Sequence, residues 1–490
     1  MGLDCAAPEL LLEEELPHLR RLMAGGVYGT LQSVIPPITV PAWLCMATSQ
    51  DPGSLGLYGF RNRVDHSYEG LRTVDSRWIR AQTLWDQIAM EGGRSILIGV
   101  PPSYPPGRMN GIRVGCFLTP DSREGTFTHP PEVSDRIRDL VGHYPVDVQD
   151  FRTEDKDRLH REIVGMTRTH FEVIRHFLET ETWDYLQFVE IGLDRIHHGF
   201  WKHHDPRHRH HDPDSPWKEV VREYYRLLDH EIGSVLDLLE EDTLLLVVSD
   251  HGAKPLDGGV CVNEWLVREG FLTLRRRPRE VTPFQELEVD WGRTRAWSTG
   301  GYYARIFLNV KGREPEGAVE PGDVEALREE LASRLEALPD DRGRPMATRA
   351  YKPEFIYRRV EGMPPDLIVH FGDLSWRAIG GVGYDSVHVQ ENDTGPDDCN
   401  HSQHGAFILA GPGVPAGGRV DGAHLLDVAP TLLRAGGYDI PASMQGRDLL
   451  ESNRPGEGQA TQRESDEEAP PPVEGEALVR ERLKGLGYIG

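Results

Sequence analysis

Four short, mainly apolar runs punctuate the chain: 95–100 (SILIGV), 185–189 (YLQFV), 243–248 (TLLLVV) and 406–410 (AFILA). Each is too short for an ordinary helix and is followed by glycine or polar residues. An uninterrupted apolar run belongs to a strand covered on both faces, the habit of parallel sheets. Between these runs, residues 157–179 and 217–240 repeat apolar positions at intervals of three and four, the period of an amphipathic helix. The alternation predicts an α/β fold, a doubly wound and mostly parallel sheet flanked by helices. Ligands of such sheets collect beyond the carboxyl ends of the strands, so chemistry is sought just after each run.

Departures from the alternation divide the chain. Residues 1–60, 181–272 and 351–450 make up the expected core. Residues 61–180 contain a proline-rich stretch at 100–108 (VPPSYPPGR) and an Arg/Asp-rich helical end, and are expected to form a cap inserted over the active edge. Residues 273–350 mix turn signals with a short apolar run at 304–310 and a charged helical stretch at 323–338, a second insertion. From 451 to 475 the chain is acidic and proline-rich with few bulky apolar residues, the composition of a disordered linker, and 476–490 regains helical spacing as a tail.

Charge narrows the choice of partners. With 54 Lys and Arg against 79 Asp and Glu, the net charge of −25 disfavours broad docking on nucleic acid or an anionic membrane. A small anionic substrate stays compatible if its pocket is locally positive. No apolar run approaches the roughly 18–20 residues that span a bilayer, and no charged-then-apolar leader opens the chain. Cys5, Cys45, Cys116, Cys261 and Cys399 form no CxxC pair, and their odd number fits a reducing, cytoplasmic compartment.

Metal-type ligands follow two of the predicted strands. Asp194 and His198 lie four residues apart, one helical turn, so both can reach one ion. Asp250 and His251 sit side by side before Gly252, where the backbone can turn sharply. A third element is 36–43 (PPITVPAW), in which Pro41 suits a first helical turn and places Thr39 at or near the cap. Capping is the ordinary role of threonine there. The same position also meets anions, and a divalent ion turns its weakly nucleophilic hydroxyl into an alkoxide source. The histidine-rich stretch 203–214 (HHDPRHRHHDPD) reads as a solvated turn.

In order along the chain, Leu3-Asp4, Pro-Pro-Ile-Thr39-Val-Pro-Ala-Trp, Asp194-xxx-His198, Ser-Asp250-His251-Gly and Asn400-His401-xxx-Gly405 together resemble the alkaline phosphatase superfamily. Within it the chain looks most like the type I phosphodiesterase/nucleotide pyrophosphatase branch. The likeness runs to about residue 450 and includes 429–433 (APTLL) and 444–447 (MQGR). It implies an alkaline-phosphatase-like fold with an inserted cap and two divalent ions, zinc or alternatively manganese. One ion would be held by Asp4, Asp250, His251 and the oxygen of Thr39, the other by Asp194, His198 and His401. It further implies attack by Thr39 on phosphorus, a covalent intermediate released by water, and Asn62 as a donor to a phosphate oxygen. The implied activity is hydrolysis of phosphodiester or pyrophosphate bonds in a small phosphate ester.

A phosphomonoesterase or mutase would keep the same ligands, and a non-catalytic binding protein would keep the fold. A sulfatase is disfavoured, because 39–43 (TVPAW) lacks both the convertible Cys or Ser and the Arg of that motif. His197 and His404 are alternates to His198 and His401. Two features depart from the family pattern. Only Met1-Gly2-Leu3 precede Asp4 where relatives have a full strand, which predicts a start downstream of the true one or a frayed tether. Cys5 replaces a frequent Gly and reads as an incidental small apolar residue.

Overall fold

In the computed structural model, which describes residues 1–450 and Val479, the apolar runs become strands whose alternate side chains enter two different cores. Ile96 and Ile98 face one cluster and Leu97 the other; Phe188 and Val189, Val247 and Val248, and Ile408 against Phe407 and Leu409 divide likewise. Burial on both faces is why these runs show no polar alternation.

The described residues form a ten-stranded sheet. Its named strands are β1 (Gly2–Leu3), β2 (Gly26–Gln32), β3 (Ser95–Ile98), β4 (Gly111–Val114), β5 (Thr128–His129), β6 (Tyr185–Glu190), β7 (Leu245–Val248), β8 (His404–Ala410) and β9 (Gly418–Arg419). They lie in the order β9-β2-β8-β7-β1-β6-β3-β4-β5, and Ala423–His424 also pairs with β2. Helices α1 (Thr39–Thr48), α2 (Lys156–Thr180), α3 (Gly192–His204) and α4 (Val220–Leu236) cover the sheet. Most of α1 packs into one core, while α2, α3 and α4 pack together in the other. Among the described residues no helix is long and apolar enough to cross a membrane.

Several expectations change. The 406–410 run, expected as a parallel strand, is antiparallel to both β2 and β7. The chain enters it from the carboxyl edge of the sheet and must run back. The tether of Asp4 is not frayed: Gly2 pairs with Val189 on one flank and Val248 on the other, so β1 is a central strand. A side chain at Gly2 would come within 2.6 Å of the Trp43 ring, so the close approach requires glycine.

Residues 61–180 are not a separate cap. They supply β3, β4 and β5 at one end of the main sheet and the long helix α2 against it. Arg113 interrupts the apolar pattern of β4, although it is buried there, and this hid the strand. The second insertion is wider than 273–350. A lobe with its own core runs from Val260 to Ala378, built on the antiparallel strands Ala296–Thr299, Ala304–Leu308, Leu367–His370 and Arg349–Tyr351 and the helix Val324–Glu336. The 61–63 and 71–73 hairpin leans on this lobe, with Arg63 3.2 Å from Glu314 and Tyr68 stacked on Trp291. The linker 451–475 and tail 476–490 lie outside the described residues, save Val479, which is buried against the main core.

Candidate active site

The carboxyl edge of the sheet gathers the ligand-type side chains. Asp4 follows β1, Asp250 and His251 follow β7, and Asp194 and His198 lie on the first turns of α3, directly after β6. Thr39 opens α1 after β2. His401 comes from the strand Cys399–Ser402, which pairs antiparallel with Gly252–Pro255 and sets His401 opposite Ala253. All seven residues are fully buried.

They form two adjoining clusters. In one, Nε2 of His251 lies 3.3 Å from Thr39 Oγ1, 3.3 Å from Asp250 Oδ2 and 3.7 Å from Asp4 Oδ1. In the other, Asp194 Oδ1 lies 3.3 Å from His198 Nε2 and 3.8 Å from His401 Nε2. The His251 and His401 rings stack at 3.9 Å, which joins the clusters. Asp194, His198 and His401 bring one ligand atom each within 4.8 Å of one another, and so do Asp4, Asp194 and His251. Asp194 therefore stands between the two groups.

Most of these candidate ligands are aimed by a neighbour. His401 donates Nδ1–H to the Pro37 carbonyl at 2.8 Å and His251 donates Nδ1–H to the Gly252 carbonyl at 3.2 Å. Carbonyls only accept, so Nε2 of both rings is left as a lone pair facing the site. His198 turns Nδ1 to Asp397 at 2.6 Å, which fixes the ring with Nε2 toward the site. Trp43 donates to Asp4 Oδ2 at 2.7 Å, and the Cys5 amide donates to Asp250 Oδ1 at 3.3 Å. Cys5 makes that bond with φ of 66°, a left-handed conformation that favours glycine.

Asp4 Oδ1, Asp250 Oδ2 and His401 Nε2 are buried and have no hydrogen-bond partner. Buried polar atoms are normally satisfied, and three acceptors without donors fit a cation. The electrostatics agree. Burial, then the charge of Asp194, raises the Asp4 carboxyl well above its usual range, and burial with Asp4 does the same to Asp250. Burial pushes His251 down to about 4 and His401 well below its ordinary value, which keeps both imidazoles neutral, as metal ligands must be. Burial also opposes charge on His198, but Asp397, with smaller contributions from Cys399, Tyr302 and Asp194, holds that imidazole well above the ordinary value.

The structure also places Thr39 and Asn62. Thr39 does not cap α1: the cap residue is Ile38, and Thr39 is the first helical residue with its hydroxyl turned to His251. Asn62 spends its amide on its own turn, accepting from the Tyr58 N–H at 2.6 Å and donating to the Gly59 carbonyl at 3.0 Å. Of the alternates, His197 packs against Trp201 and Tyr225, and His404 is exposed at the start of β8.

Sequence reasoning missed the residues behind the ligands. Asp397 is held by Arg152 at 2.9 Å and faces Arg377 at 3.6 Å. Arg195 grips Asp147 through two bonds of 2.7 and 2.8 Å and also touches Asp194. Tyr302, from the second lobe, sets its hydroxyl 3.4 Å from His198 Nε2 and its ring 4.3 Å from that of His401. Only Asp397, four residues before His401, and Arg195, adjacent to Asp194, carried any local signal.

The type I phosphodiesterase/nucleotide pyrophosphatase family model matches residues 1–406. Among solved structures, the fold is similar to murine ectonucleotide pyrophosphatase/phosphodiesterase 5, at 14% identity over 90% of this chain and 95% of that one, with a TM-score of 0.51. An inactive threonine-to-alanine form of the murine protein, in complex with AMP, matches equally. Phosphonoacetate hydrolase from Sinorhizobium meliloti 1021, in complex with phosphonoacetate, matches at 16% identity over 89% of this chain and 94% of that one, with a TM-score of 0.56. A search of curated proteins by sequence gave no match.

Proposed function

The chain belongs to the type I phosphodiesterase/nucleotide pyrophosphatase family, and from that premise we propose that it hydrolyses phosphodiester or pyrophosphate bonds of a small molecule, with Thr39 as nucleophile and two divalent ions bound. The observation that carries this reading is the convergence of seven buried side chains, three of them with unpartnered acceptor atoms, at one edge of the sheet. Asp4, Asp250, His251 and Thr39 would hold one ion and Asp194, His198 and His401 the other. Zinc suits this mixed carboxylate and imidazole set, with manganese the alternative. When bound, such ions lower the pKa of a coordinated hydroxyl and offset the charge of phosphoryl oxygens.

The protein's own groups prepare the rest. His251, neutral and with Nδ1–H committed to Gly252, turns its Nε2 lone pair into the space beside the Thr39 hydroxyl, so that one ion would meet both. The amino end of α1 faces the reacting oxygens and favours their negative charge. Attack forms the bond between Thr39 Oγ1 and phosphorus as the alcohol or phosphate leaving group departs; water then breaks the Oγ1–P bond and frees Thr39. The inactive threonine-to-alanine form of the murine relative supports the nucleophile. Tyr302, standing over His198 and His401, supports the second lobe as the part that selects the ester. Five buried cysteines without a disulfide support a reducing, cytoplasmic setting, and the net charge of −25 supports a small substrate over nucleic acid.

Metal content by mass spectrometry and turnover of bis-p-nitrophenyl phosphate against p-nitrophenyl phosphate test the reading. Bound metal and diester cleavage are expected, and Thr39→Ala should abolish turnover while retaining metal. Turnover of the monoester alone would indicate a phosphatase, absence of metal and of both activities a binding protein. An active Thr39→Ala enzyme would refute the nucleophile.

A further inference from the structure

Beside the site lies a cavity bounded by Ile38, Phe60, Arg61, Tyr302, Tyr303 and Arg305. It is continuous with the chemistry: Ile38 precedes the nucleophile, and Tyr302 packs against His401 while reaching His198. Arg305 is only 7% exposed. Its Nε donates to Thr299 Oγ1 at 3.1 Å and its Nη1 to the Arg61 carbonyl, both neutral oxygens. Among the described residues no carboxylate pairs with it.

Three other buried arginines differ. Arg195 is bound to Asp147 and Asp194, Arg152 to Asp397, and Arg63 to Glu314. A buried guanidinium left with neutral partners is costly, and in a chain with a net charge of −25 an acidic partner was the easy solution. The pocket keeps a cation free of internal acid, in the planar, forked form that fits phosphate or carboxylate. Two divalent ions set against the three carboxylates of Asp4, Asp194 and Asp250 leave about the charge that one diester phosphate neutralises, so Arg305 is surplus to the reacting group.

We propose that Arg305 is a specificity-determining residue that binds a second anionic group, phosphate or carboxylate, next to the reacting phosphorus. The preferred substrate is then a phosphorus compound with two adjacent anions, and the aromatic walls of Phe60, Tyr302 and Tyr303 exclude water around the pair. This rests on the phosphoryl-transfer reading of the adjoining site.

Calorimetry on the metal-loaded protein tests it with two matched pairs of probes, pyrophosphate against orthophosphate and phosphonoacetate against methylphosphonate. The wild-type protein should favour the two-anion member of at least one pair, and Arg305→Gln should reduce that preference by about 10- to 100-fold, the worth of a charged hydrogen bond. The pair that responds identifies the second group as phosphate or carboxylate. Arg305→Lys, which keeps the charge without the fork, should give an intermediate preference and decides the matter if the glutamine variant does not fold. No preference in the wild type, or an unchanged preference in the variants, overturns the proposal. Binding is read without turnover, so failure to cleave bis-p-nitrophenyl phosphate would sink the hydrolase reading separately.

Discussion

Replacing Asp397 by Asn isolates the charge behind His198. The amide oxygen of Asn can still accept from His198 Nδ1, so the ring keeps its aim and loses only the carboxylate 2.6 Å away. Outer partners of this kind contribute about 10- to 100-fold to metal affinity, or about 1.4–2.7 kcal/mol. The pH dependence carries a definite sign. Burial alone would lower the His198 pKa, and Asp397 raises it well above the ordinary value. In the wild type, protons therefore compete with metal for Nε2 up to that raised value. In Asp397→Asn the competition ends at lower pH. The variant should bind metal about 10- to 100-fold more weakly at alkaline pH, and the gap should narrow as pH falls through the raised value. Arg152, at 2.9 Å from Asp397, would also lose its buried partner, at a cost of about 3–5 kcal/mol in unfolding free energy. Chelator competition followed by mass spectrometry at several pH values measures the first effect and denaturant titration the second. Equal alkaline affinity in the two proteins would refute the role given to Asp397, and a gap independent of pH would refute the competition.

Other expectations follow from the same geometry. Trp43→Phe removes the donor 2.7 Å from Asp4 and should lower metal retention while costing about 1–3 kcal/mol of stability; unchanged chelator resistance would argue against it. His370, in the second lobe, is pushed down to about 3 by burial from an ordinary value of 6.5. The unfolded chain takes up its proton first, so stability falls as pH drops from 6.5 toward 3, and His370→Leu should flatten that limb in denaturant titrations. An identical slope would contradict the burial argument. Leu331→Ala, in the core of the second lobe, should cost roughly 2–5 kcal/mol without loss of bound metal, because every ligand lies in the other lobe. Simultaneous loss of metal would show that the two lobes unfold together.

The central strands and helices were legible because burial on both faces leaves an unbroken apolar run, and one-sided burial leaves a period of three and four. The pair Asp194 and His198 was legible for a related reason: a helical turn brings residues four apart to one side. Asp250 and His251 were found from their place after a strand. β1 and β4 escaped that reasoning. β1 has two residues and owes its existence to pairing on both flanks, while β4 carries the buried Arg113.

The surroundings of the ligands were decided in three dimensions. Nothing local to Thr39 distinguishes a cap from a residue turned into the site; the position of His251, brought from a different strand, turns the hydroxyl inward. Asp397, Arg152 and Arg377 meet behind His198 from separate parts of the chain, and Tyr302 and Arg305 come from the second lobe. Local pattern records which face of an element is buried, because that depends on periodicity. Which charges are left paired or unpaired inside depends on distances between remote segments, and those exist only once the chain has folded.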